Sequence, residues 1–154
     1  MIENLEVFGQ LFLAVLLGAV IGFERELAKK AAGLRTFAMI SLGACLFAVI
    51  SKYAFQEFWG VPGFDPSRVA SQIVVGIGFI GAGLIFIKQD RVSGLTTAAS
   101  LWVSAAIGTA VGFRLYYIAV FTAVLSLVVL TFLWYLEHYV LKRWARSPHE
   151  HDTH

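Results

Sequence analysis

Long apolar runs separated by short polar breaks make up most of the chain, and the runs are continuous rather than alternating. Five stand out, at residues 5–23, 36–55, 69–87, 95–113 and 115–136. Each approaches the ~20 residues that a helix rising 1.5 Å per residue needs to cross ~30 Å of hydrocarbon. Strands of a membrane barrel would alternate outward and inward positions, so helices are expected. The predicted fold is all-α: a polytopic transmembrane bundle of about five spans over residues 1–140, then a basic and His-rich tail over 141–154. Only Arg114 separates the last two runs, which leaves a very tight turn or a re-entrant pair.

Within the runs, small residues recur four apart. The first span carries Gln10, Ala14, Gly18 and Gly22, and the same row ends at Glu26. The fourth carries Thr96, Ser100, Ser104, Gly108 and Gly112. Residues four apart share a helix face, and small side chains let backbones approach closely in lipid. Both rows are therefore expected to be helix contact seams.

The third span holds the densest set, Gly76-Ile77-Gly78-Phe79-Ile80-Gly81-Ala82-Gly83. It contains a formal G-x-G-x-x-G, but a dinucleotide turn needs a preceding strand and a βαβ unit, not an apolar span. At 100° per residue, Gln72, Gly76 and Gly83 share one side, with Ser71, Gly78, Gly81 and Ala82 roughly opposite. Ile73, Ile77, Ile80 and Leu84 fall between them. The expectation is a helix gripped from two sides by its glycines, with the bulky stripe left for lipid or a large neighbour. So many glycines also weaken the helix, by about 1 kcal/mol each against Ala, so local unwinding is the alternative. The fifth span lacks glycine and is expected to be peripheral.

Charge orients the bundle. Arg25, Lys29, Lys30, Arg35, Lys88, Arg91, Lys142, Arg143 and Arg146 fall on one side, and only Lys52, Arg68 and Arg114 on the other. Nine against three predicts a cytoplasmic C-terminus and an external N-terminus, which an odd number of spans satisfies. Charged residues make up 14% of the chain, well below the quarter usual in soluble domains, which agrees with a membrane protein. The first residues lack the basic start of a cleavable signal.

Candidate chemistry is sparse. Cys45 stands alone within a span, and His149, His151 and His154 cluster on the tail, so no metal site and no cofactor is expected. The loop from Gln56 to Asp65 is aromatic and suits the headgroup region. Asp65 and Pro66 read as a helix start, with Arg68 in reach of Asp65 and Gln72 one turn on. The polar residues Glu24, Arg25, Glu26, Arg35, Thr36, Thr96 and Thr97 would meet at the cytoplasmic end. Arg35 is placed to grip a carboxylate there, as a structural clasp or as a binding site for an anion or a partner.

Taken in order, these motifs resemble the MgtC/SapB family of bacterial inner-membrane proteins. The residues carrying the resemblance are Gly18-Ala19-Val20-Ile21-Gly22-Phe23-Glu24-Arg25-Glu26, Gly33-Leu34-Arg35-Thr36 and Asp65-Pro66-Ser67-Arg68. The glycine string 76–83 and Gly94-Leu95-Thr96-Thr97-Ala98-Ala99-Ser100-Leu101-Trp102 complete the set. The resemblance implies a helical membrane domain of about five spans over residues 5–137, in the short SapB-like form without the soluble C-terminal domain of MgtC. It also implies a link to magnesium limitation or stress adaptation.

Two functions follow as expectations. The first is a regulatory or scaffold protein that works through helix contacts with another copy or another membrane protein. The second is a transporter or channel for Mg²⁺ or another cation. Mg²⁺ is usually held by carboxylates or its own waters, and Glu24, Glu26, Glu57, Asp65 and Asp90 all lie near span ends. Enzymatic activity and nucleic-acid binding are not expected; the bilayer is the one certain partner.

Overall fold

The computed structural model describes residues 2–53, 65, 67–88, 91–136 and 139. Helix α1 spans Ile2–Leu27, α2 Leu34–Tyr53, α3 Ser67–Gly83, α4 Leu95–Gly112 and α5 Tyr116–Val128, which continues into a π turn at Val129–Leu133. Four segments, Asn4–Leu27, Leu34–Tyr53, Leu95–Gly112 and Tyr116–Leu136, are long and apolar enough to cross a bilayer, so this is a multi-pass membrane protein. Helix α3 is also apolar but has only 17 residues, or about 25 Å of rise. The expected loop 56–64, Pro66, Asp90 and the tail 141–154 lie outside the described residues.

Helix α2 is the centre of the bundle, and the small-residue rows of α1 and α4 are the reason. A Cβ on Gly18 would lie 2.6 Å from the Phe37 carbonyl oxygen, and one on Gly22 would lie 2.7 Å from Leu34 Cα. On the α4 side, a Cβ on Gly108 would lie 2.0 Å from the Ser41 carbonyl oxygen, and one on Gly112 would lie 2.7 Å from that of Cys45. Contacts rise in step along α2 and α4 but run in opposite order along α1 and α2. The helices therefore alternate in direction along the chain. Phe37, Ile21, Leu101, Ile107 and Val111 fill the space that the glycines leave, each buried. Glycine here removes the bulk that would hold the axes apart, so larger residues elsewhere gain dispersion contacts.

Helix α3 reverses the expected arrangement. Ile77 is buried, and Ile73 and Leu84 pack against the core, so most of the bulky stripe faces the bundle while Ile80 stays exposed. Among the described residues, Gly81 alone of these glycines meets a neighbour, Ala98, at 3.6 Å from a built Cβ; Gly76, Gly78 and Gly83 meet none. The reason is complementary volume. Helix α4 turns Ala98, Ala105 and other small side chains toward α3, and large isoleucines fill that hollow where glycines would leave it empty.

The third span also ends early. The helix closes at Gly83 with hydrogen bonds from Leu84 N–H to the Gly81 carbonyl and from Ile85 N–H to that of Ala82, both 3.1 Å. Strands β1 (Phe86–Lys88) and β2 (Arg91–Ser93) then pair antiparallel, with Ile87 opposite Val92. The expected end at residue 87 is corrected by this hairpin, and the fold around it is all-helical as expected. Aromatic and β-branched residues at 86, 87 and 92 favour extended backbone. Gly94 makes the return possible: its φ is +91°, and a Cβ there would lie 2.0 Å from the Leu84 carbonyl oxygen.

Helix α5 is peripheral, as expected. Ala119, Ala123 and Leu130 face the bundle, while Tyr117, Phe121 and Phe132 are well exposed. The turn before it is tight: Arg114 takes the left-handed conformation, with φ +65°.

Candidate functional site

At one end of the bundle, the sequence-predicted polar cluster divides into separate contacts. Arg25 folds back onto its neighbour Glu24 in a two-pronged ion pair, with Nη2 2.6 Å from Oε1 and Nε against Oε2. Arg25 is only 3% exposed, so its charge is held almost wholly by that carboxylate. Glu26 does something else: its Oε2 accepts from the backbone N–H of Leu34 at 3.0 Å. The carboxylate ending α1 thus caps α2, where unpaired N–H groups and the helix dipole favour negative charge.

Arg35 grips no carboxylate among the described residues. Arg35, Thr36 and Thr96 are exposed, and among the described residues no ion pair or hydrogen bond joins Arg35 to Glu24 or Glu26. The expected grip of Arg35 on Glu24 or Glu26 is not made, because the adjacent Arg25 holds the first acid and the α2 N-terminus the second. Thr97 is buried, and its carbonyl accepts from the Ser100 hydroxyl at 2.9 Å. Ser104, also buried, donates to the Phe37 carbonyl at 3.2 Å and adds a polar tie to the α2–α4 seam.

The opposite end carries a cluster that sequence reasoning missed. Arg114 meets Glu6 through two prongs, Nε to Oε1 and Nη2 to Oε2, both 2.7 Å, and its Nη2 also donates to the Tyr53 hydroxyl. The Tyr116 hydroxyl lies 3.4 Å from Glu6 Oε1. Gln10, one turn below Glu6, is buried and donates its side-chain amide to the Val111 carbonyl at 3.1 Å. Residues from α1, α2, α5 and the α4–α5 turn are thereby tied at one level. The available signal was Gln10 and Glu6 four apart, on the row already noted for its small residues.

Asp65 starts α3 as expected. Its Oδ1 accepts from the Ser67 backbone N–H at 2.9 Å and the Ser67 hydroxyl at 2.7 Å. Those hydrogen bonds, the hydroxyl foremost, hold the Asp65 carboxyl below its usual range. Arg68 and Gln72 are exposed, and Arg68 donates its backbone N–H to the Asp65 carbonyl. Gln72 lines a groove of about 540 Å³ between α2 and α3, whose wall includes Gly43, Phe47, Gly76 and Ile80. Gly76 lines this groove, Gly83 lies on the same side of α3, and Gly78 lies roughly opposite them.

A family model described as "MgtC family" matches residues 11–139. An Escherichia coli (strain K12) protein named "Putative magnesium transporter YhiD" is 45% identical over 123 residues, or 79% of this chain and 57% of that protein. "Protein MgtC" of Brucella abortus (strain 2308) is 48% identical over 99 residues, covering 64% of this chain and 39% of its own length. "Protein SapB" of Bacillus subtilis (strain 168) is 39% identical over 132 residues, covering 83% and 56%. The chain thus spans about half the length, or less, of these relatives. No solved structure matches it.

Proposed function

Because the chain belongs to the MgtC family, we propose that it is a multi-pass protein of the bacterial inner membrane that regulates or scaffolds by helix contact, with a second copy docked on α3. The N-terminus is external and the C-terminus cytoplasmic in this reading, which rests on the basic residues at the Arg25 end. One observation carries it: Gly76, Gly78 and Gly83 meet nothing among the described residues, whereas Gly18 and Gly22 of α1 and Gly108 and Gly112 of α4 are packed against α2. Gly76 and Gly83 share one side of α3, where small residues support close approach of another helix, and a face meeting its own copy is self-complementary. Contact at this face would couple the α2–α3 groove to whatever the second copy carries.

The test is Gly76→Leu, which places bulk on that side of α3, where a Cβ meets nothing among the described residues. A variant that inserts at normal level but loses self-association, together with its contribution to growth at limiting magnesium, supports the proposal. Full retention of both removes it.

A second reading, transport of Mg²⁺, is favoured by the name of the Escherichia coli relative. Against it, the buried Ser100, Ser104 and Gln10 side chains already donate to backbone carbonyls within the packed seams. A hydrated cation needs oxygen ligands that face a passage. Uptake of Mg²⁺ into proteoliposomes holding this protein alone separates the two readings.

A further inference from the structure

A second groove, of about 800 Å³, opens on the other side of the bundle between the last turn of α1 and the π turn of α5. Its walls are apolar and aromatic, from Leu27, Leu130, Phe132, Trp134 and Tyr135, and its rim carries Lys29 and Lys30. Arg25 and Glu24 also line it, but they neutralise each other in their ion pair, so among the described lining residues two positive charges remain.

The backbone keeps those lysines at the rim. Lys30 N–H bonds to the Arg25 carbonyl and Lys29 N–H to that of Glu26, each at 3.0 Å. This pair of bonds is the Schellman closure of a helix, in which the left-handed residue is usually glycine. Here it is Lys29, with φ +53°. A side chain in that conformation carries a cost that glycine would avoid. The closure also satisfies the end carbonyls by backbone alone, so neither ammonium is needed there. Across the groove, the π turn is the kind of helix irregularity that recurs at functional sites.

We propose that this groove binds an anionic phospholipid, its phosphate held by Lys29 and Lys30 and its acyl chains lying against Leu130, Phe132 and Trp134. Basic pockets between membrane helices take such headgroups, and indole and phenol rings suit headgroup depth. The apolar walls select a lipid over free phosphate, and the rim charge selects an anionic lipid over a zwitterionic one. Nothing here depends on what docks at α3, which lies on a different face.

The experiment titrates phosphatidylglycerol, phosphatidylcholine and inorganic phosphate into the full chain in neutral detergent, following Tm and lipid retention by native mass spectrometry. Phosphatidylglycerol is expected to raise Tm and remain bound, while the other two leave Tm unchanged. The double variant Lys29→Gly, Lys30→Gln should bind phosphatidylglycerol about thirtyfold more weakly, from two lysine contacts. Glycine suits the left-handed position, so this variant keeps its fold, and its Tm without lipid checks that. An equal rise with phosphatidylcholine or with inorganic phosphate overturns the proposal, as does unchanged phosphatidylglycerol binding by the double variant.

Discussion

The Cα of Gly108 on α4 lies so close to the carbonyl of Ser41 on α2 that a methyl group there would come within 2.0 Å of the oxygen. The obstacle is backbone, so no side-chain rotation relieves it. Gly108→Ala must push α2 and α4 apart, and overpacking of this kind costs about 1–3 kcal/mol, occasionally more. Thermal unfolding in detergent should show a clear fall in Tm. Gly76→Ala meets nothing among the described residues and should leave the monomer unchanged or gain about 1 kcal/mol in helix propensity. Similar Tm losses at both sites would contradict the packing described.

Glu24→Gln should destabilise far more than its position beside solvent suggests. It leaves the buried Arg25 guanidinium without its carboxylate, and breaking a buried pair from one side costs about 3 kcal/mol or more. Comparing Glu24→Gln with the double variant Glu24→Gln, Arg25→Met isolates the effect. The double variant should recover part of the loss.

The outer fork of Glu6 and Arg114 is more exposed, at about 39% and 38% of each side chain. Its worth is accordingly modest, about 1 kcal/mol or less, and it should shrink with salt. A double-mutant cycle on Glu6→Gln and Arg114→Lys, read at low and high ionic strength, measures it. Coupling that is large and insensitive to salt would place this pair in a drier setting than its exposure indicates.

Asp65 gives a pH dependence with a defined sign. Its carboxyl titrates lower in the folded state than in the unfolded one, because Ser67 bonds to the charged form. The stabilisation is therefore complete above the unfolded value, about 4, and disappears as pH falls through the lower folded value. Amide exchange over residues 67–70 should accelerate in that acid window. Asp65→Asn, which keeps a capping oxygen, should flatten the dependence.

The α1 and α4 seams were legible because a row four apart has one physical meaning once both neighbours are helices. Gln10, Gly18, Gly22, Ser104, Gly108 and Gly112 all lie buried on those rows. Helix α3 was misjudged because its glycines and isoleucines compete for the same interior. Which stripe turns inward depends on the volume that α4 presents, and the sequence of α3 alone does not contain it. The hairpin at 86–93 was hidden inside an apolar run, since Phe86 and Ile87 continue the hydropathy of the span while changing the backbone. The Glu6–Arg114 tie was out of reach for another reason: its partners stand 108 residues apart.

The open face of α3 is tested most directly by disulfide trapping in native membranes. With Cys45 replaced by Ala, a single cysteine is introduced at Gly76, Gly78 or Gly83 and an oxidant is added. Covalent dimers are expected at Gly76→Cys or Gly83→Cys, and they should vanish when Ile80, one turn from each, is enlarged to Trp. Monomer alone at all three positions, in protein that is inserted and folded, would show that no second copy docks there.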